Sequence, residues 1–101
     1  MLINDTIYSI IFLMMGGFMG TNKKFLKRLR QIPTPNDITM KELDRFLKSE
    51  GFKLQSQSSS HLNYKHERLT YILTIVSHNM KQEVKVVYIK NVLAAIDEIS
   101  Q

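Results

Sequence analysis

The 101-residue chain has no cysteine and no tryptophan, two prolines and four glycines. Without cysteine there is no disulfide framework and no thiolate metal site. Three histidines occur, but no HExxH pattern, so no zinc motif is legible and no metal or cofactor is expected. No glycine-rich phosphate loop and no GxSxG elbow is present, which removes nucleotide-binding and serine-hydrolase readings. Acidic residues are also few: 9, against 14 lysines and arginines, a formal net charge of +5. That excess is local. Lys23, Lys24, Lys27, Arg28 and Arg30 form a run with no acid among them, and the rest of the chain is balanced. Such a run is a solvated helix face or, alternatively, a contact for RNA backbone or an acidic partner. Charge alone does not decide between them.

What is there fits one small packed domain: 44% hydrophobic and 23% charged residues. Residues 1–20 form an apolar tail. Its stretch Ile7–Met19 is shorter than the about 20 residues a membrane span needs. Asn4 and Asp5 stand where a secretory signal wants basic residues, and no A-x-A cleavage site follows. Gly16-Gly17 can be encoded by a purine-rich ribosome-binding sequence just before Met19. Translation is therefore expected to start at Met19, leaving a cytoplasmic protein with no targeting signal. Residues 21–37 read as a basic helix and a proline-containing linker, and residues 38–101 as the main domain.

Periodicity assigns the elements. Asn22 is expected to cap a helix running to about Gln31, with Phe25, Leu29 and Ile32 as its apolar stripe. Pro33 and Pro35 then stop it. Thr39 and Glu42 have capping-box spacing, and Met40, Leu43, Phe46 and Leu47 make the buried stripe of the helix that follows. Gly51 suits the helix end. The period then changes to two. Phe52 and Leu54 alternate with Lys53 and Gln55, and a polar turn covers Gln57–Ser60. Leu62 and Tyr64 then face opposite His61, Asn63 and Lys65. Leu69–Val76 is expected as the strongest strand, placed centrally or beneath both helices. Ser77–Val84 reads as a polar loop. Ile89, Val92, Leu93, Ile96 and Ile99 mark a final amphipathic helix. The expected fold class is α+β: α-β-β-β-α with a three-stranded antiparallel sheet, two helices on one face, and an extra N-terminal basic helix.

The free face would carry a histidine, an amide and a lysine. That set suits a phosphodiester. RNA cleavage needs a base for the 2′-OH proton, and an imidazole changes protonation near physiological pH. Lysines can steady the developing phosphorane. With the 2′-OH as nucleophile, no metal is required. By itself this signal is weak, because most strand-face histidines are merely solvated.

Gly51-Phe52, a polar turn, and Ser60-His61-Leu62-Asn63-Tyr64 resemble the core motif of the HicA toxin family. Val76-Ser77-His78 resembles its later Pro-x-His element, and Glu83-Val84-Lys85 leading into Tyr88–Leu93 resembles its final helix. Ile32-Pro33 through Asp37-Ile38-Thr39 resembles the lead-in of one branch. The likeness covers about Lys23 to Ile99. It implies a double-stranded-RNA-binding-domain-like fold, ribosome-independent mRNA cleavage, and neutralisation by a HicB-like antitoxin encoded alongside. It places the catalytic histidine on His61. Ser60, Asn63, Lys65, His78 and Lys81 are the candidate RNA contacts.

One position departs from the family pattern: Ser59 replaces the glycine before Ser-His. If that position needs a positive φ, serine costs stability and disturbs the turn that aims His61. Blander readings stand beside the others. His78 and the lysines at 53, 65 and 81 are by default solvated, His66 is structural or solvated, and Tyr64, Met40 and Phe46 are core. Two function classes follow: a toxin endoribonuclease, or a binding module of the same fold whose chemistry has decayed. A membrane-associated role for Ile7–Met19 is opposed by the missing basic flank. A neighbouring reading frame for a HicB-like protein would favour the toxin.

Overall fold

The computed structural model describes residues 22–101. The apolar tail and the expected start at Met19 lie outside them. Helix α1 occupies residues 22–29. Asn22 is already helical, so it does not cap that helix as expected. Ile32 falls beyond the helix, before Pro33, and is 97% exposed, so it leaves the apolar stripe to Phe25 and Leu29.

Helix α2 (Met40–Ser49) starts at the capping box read from the sequence. Thr39 Oγ1 accepts from Glu42 N–H at 3.2 Å, and Glu42 Oε1 accepts from Thr39 N–H at 3.4 Å and from Thr39 Oγ1 at 3.0 Å. The helix buries Met40, Leu43, Phe46 and Leu47. Gly51 ends it with φ +94°. That conformation favours glycine, and a Cβ there would lie 3.1 Å from His66 Nε2, tighter than an ordinary contact.

Strands β1 (Lys53–Ser58), β2 (His61–Lys65) and β3 (Leu73–Val76) follow, then helix α3 (Val86–Ile99). The sheet is an antiparallel meander in the order β1-β2-β3. This is the α-β-β-β-α order of a double-stranded-RNA-binding-like fold. Two expectations about the third strand are corrected. It spans only Leu73–Val76, because the β2–β3 ladder stops at Tyr64–Leu73 and β2 itself ends one residue later, which leaves residues 69–71 no strand to pair with. It is also an edge strand, since the middle strand of a three-strand meander is the second. Leu69 is buried, but Tyr71 and Ile72 are exposed.

One core unites the chain from Leu29 to Ile99, with Ile38, Tyr64, Ile75, Val84 and Val92 among its buried members. Leu29 and Ile38 lie fully inside it, so both ends of the segment between α1 and α2 are anchored in the core while Ile32 between them is exposed. Phe25 stacks on Phe46 at 5.1 Å between ring centroids. Among the described residues no helix is long and apolar enough to cross a membrane.

Candidate functional site

Helices cover one face of the sheet. Leu62, Tyr64, Leu73 and Ile75 point into that core, and Tyr64 hydroxyl donates to Asp44 on α2 at 2.6 Å. Burial, then the hydrogen bond and charge of Asp44, hold the Tyr64 phenol well above its ordinary range, so it stays protonated. Period two sends the alternate residues to the open face. His61 and Lys65 are exposed there, and Asn63, Thr74 and Val76 are half-buried.

Register sorts that face into three rows. Ser58, His61 and Val76 stand across from one another at one end. Ser56, Asn63 and Thr74 form the middle row. Lys53 and Lys65 oppose each other at the far end. The β1–β2 connection is the two-residue loop Ser59-Ser60. Ser59 has φ +55°, so the serine occupies the turn position where glycine is ordinarily found.

At the His61 end the pairing continues one step past the ladder, where Ser77 N–H donates to Ser60 O at 2.8 Å. That contact brings the loop after β3 beside the β1–β2 turn. His78 follows, its N–H donating to Gln82 Oε1 at 2.8 Å, while Lys81 N–H donates to Asn79 Oδ1 at 2.9 Å. The start of α2 closes the same end: Met40 N–H donates to Gln82 O at 2.9 Å, and Lys41 N–H to Met80 O at 2.8 Å. Thus Ser60, His61, His78 and Lys81 belong to one end of the sheet. Lys65 does not. It lies four residue steps along β2 from His61, or ~13 Å at ~3.3 Å per step.

Asn63 is the residue whose role changes most. Its Nδ2 donates to Ser56 Oγ at 3.0 Å, and its Oδ1 accepts from Thr74 Oγ1 at 2.7 Å. Both ends of the amide are engaged across the sheet, so Asn63 ties the three strands together on this face. Sequence reading missed Ser56 and Thr74 as its partners, since only the register aligns them.

The three histidines separate cleanly. His66 lies just beyond β2, its ring tilted against Phe52 with 4.8 Å between centroids. Its Nε2 meets Glu50 O at 3.0 Å, and its Nδ1 accepts from Arg68 N–H at 2.9 Å. A carbonyl can only accept, so the neutral Nε2–H tautomer satisfies both contacts. His66 is thereby structural. The His61 imidazole is exposed and makes no hydrogen bond among the described residues. His78 is exposed on its loop. Among the described residues, no three His, Cys, Asp or Glu side chains gather where they could hold a metal ion.

The basic run is partly spent inside the molecule. Arg28 Nη1 reaches Glu42 Oε2 at 2.8 Å and Nη2 approaches Asp37 Oδ2 at 3.5 Å. Arg30 Nη2 reaches Asp97 Oδ1 on α3 at 2.7 Å. Glu42 and Asp97 sit on the helices, which cover the face of the sheet opposite His61, and Asp37 lies in the segment before α2. Arg28 and Arg30 therefore tie the N-terminal segment to α2 and α3 rather than forming part of a simple solvated face.

The family model for the HicA toxin of bacterial toxin–antitoxin systems matches residues 40–97, more than half of the chain. The chain belongs to the HicA toxin family. The match runs from the first residue of α2 into the last turn of α3, so α1 and the segment to Thr39 lie outside it. No curated protein and no solved structure matches the chain. HicA membership makes the chain a toxin of a toxin–antitoxin system, and the open face with His61 lies wholly within the matched residues.

Proposed function

We propose that this HicA toxin is a metal-independent endoribonuclease acting on mRNA in the cytoplasm, with His61 as general base. The observation that carries the reading is the contrast between the two histidines of the β2 region. His66 has both ring nitrogens committed, whereas His61 presents a free imidazole on an open strand face.

The chemistry follows from that imidazole. It takes the proton from a ribose 2′-OH, and the 2′-oxygen attacks the adjacent phosphorus. The P–O5′ bond breaks, and the leaving 5′-oxygen takes up a proton. The products are a 2′,3′-cyclic phosphate and a 5′-hydroxyl. Cations that steady the dianionic phosphorane lower the barrier. His78 and Lys81, at the same end of the sheet, are the candidates to contact the RNA there, with Ser60 in the turn that aims His61. A HicB-like antitoxin would silence the toxin by covering this face.

The test uses purified protein and a single-stranded RNA in the presence of a chelator. The expected products end in 2′,3′-cyclic phosphate, and a 2′-O-methyl group at the cleaved nucleotide blocks the cut. Activity lost in chelator, or cutting of the methylated site, would replace this mechanism with a different one.

A further inference from the structure

Lys53 and Lys65 stand directly across from each other in the β1–β2 ladder. Opposed residues of an antiparallel pair carry their side chains on the same face, about 5 Å apart at Cβ. Both lysines are exposed, and neither pairs with a carboxylate among the described residues. Like charges so placed oppose strand pairing, and lysine is a poor strand former. An edge strand gains from lysine, which discourages edge-to-edge association. That accounts for Lys53 on β1. Lys65 lies on the central strand, one residue past the last β2–β3 pair, Tyr64–Leu73, and protecting an edge does not require two lysines to face each other.

The rest of the face is receptive to an anion. The three strands, KLQSQS, HLNYK and LTIV, contain no acidic residue. The neutral Ser56–Asn63–Thr74 row separates the lysines from His61, ~13 Å away along β2. A single RNA strand laid along β2 would present one backbone phosphate to His61 and another, a few nucleotides away, to the lysines.

We infer that Lys53 and Lys65 together form a second backbone-phosphate site for RNA, remote from the bond cleaved. This rests on the RNA reading above. The bound phosphate would neutralise the repulsion that the fold otherwise tolerates. The site reads charge, not sequence, and sets a minimum substrate length.

The test measures binding of a fully 2′-O-methylated single-stranded RNA to the full chain across a salt series. The variants are Lys53→Gln/Lys65→Gln and Lys53→Arg/Lys65→Arg. Each phosphate contact on a single strand contributes about 0.7 to the slope of log K against log salt. The expected result is a slope about 0.7 shallower for the glutamine variant, the loss of one phosphate contact. The arginine variant should keep the parent slope. The glutamine variant should melt no lower than the parent at low salt, because the repulsion is gone. A parent slope in the glutamine variant overturns the inference. So does a loss in the arginine variant equal to that in the glutamine variant. An unchanged RNA slope with lost binding to the HicB-like antitoxin would reassign the pair to a protein partner, and also overturns it. Cutting of the methylated RNA would refute the 2′-OH mechanism separately, without touching the binding result.

Discussion

Asn63 Oδ1 accepts from Thr74 Oγ1 at 2.7 Å while Asn63 Nδ2 donates to Ser56 Oγ, so one amide spans all three strands beside His61. The bond to Thr74 is half-buried, and breaking it leaves the amide oxygen poorly satisfied. Thr74→Val keeps the shape and removes the donor. It should lower stability by about 1 kcal/mol, read as a shift of the urea midpoint with an unchanged m-value. Cleavage at the His61 end should persist.

Ser59 holds a backbone conformation that L-residues adopt at a cost of roughly 1–2 kcal/mol. Ser59→Gly removes that cost, and the greater freedom of glycine in the unfolded chain returns part of it. The net gain should be about 0.5–1 kcal/mol by urea unfolding. Ser59→Ala keeps the strained φ and should give no gain. Equal stability of the two variants would show that the turn is not strained.

Much of this architecture was legible because local chemistry specified it. Thr39 and Glu42 cap α2, Gly51 ends it, and the alternation from His61 to Lys65 sorts β2 into core and open faces. What failed depended on partners distant in sequence. Leu69–Val76 has strand composition throughout, but only four of its residues pair with β2, whose ladder stops at Tyr64–Leu73. Ile32 fits a helical stripe that stops before reaching it. Arg28 and Arg30 read as part of one basic face, yet their carboxylates come from Asp37, Glu42 and Asp97. At the site, His61 was marked by the family motif. The engaged amide of Asn63 and the distance from His61 to Lys65 emerged only from the register.

The segment before α2 should matter for stability although it precedes the family match. Leu29 is fully buried, so Leu29→Ala should cost about 2–5 kcal/mol. Arg28→Ala should cost under about 1 kcal/mol, because its ion pairs are half-exposed. Its effect should depend on pH. Burial pushes the Glu42 carboxyl up, but hydrogen bonds from Arg28 and Thr39 and the charge of Arg28 prevail and hold it below its ordinary 4.5. A depressed carboxylate stabilises the fold above its unfolded pKa, and loses that contribution as pH falls through the folded value. Arg28→Ala should therefore destabilise at neutral pH, and the difference from the parent should shrink as pH falls below 4.5. Urea unfolding at both ends of that range measures it.

His66→Ala separates a structural histidine from a reacting one. It removes the Phe52 ring contact and the contacts to Glu50 O and Arg68 N–H, so it should cost about 1–3 kcal/mol. At a temperature where the variant is folded, its RNA cleavage should remain near the parent rate. A large loss of cleavage in folded His66→Ala protein would place this ring, too, in the chemistry.

The most direct measurement is RNA cleavage by His61→Ala, with circular dichroism and urea unfolding on the same sample. The His61 side chain is exposed and makes no hydrogen bond among the described residues, so its removal opens no core cavity. The variant should fold like the parent and be as stable, with cleavage reduced by roughly 10²–10⁴-fold, the usual cost of losing a general base. Cleavage at the parent rate by folded His61→Ala protein would contradict His61 as that base.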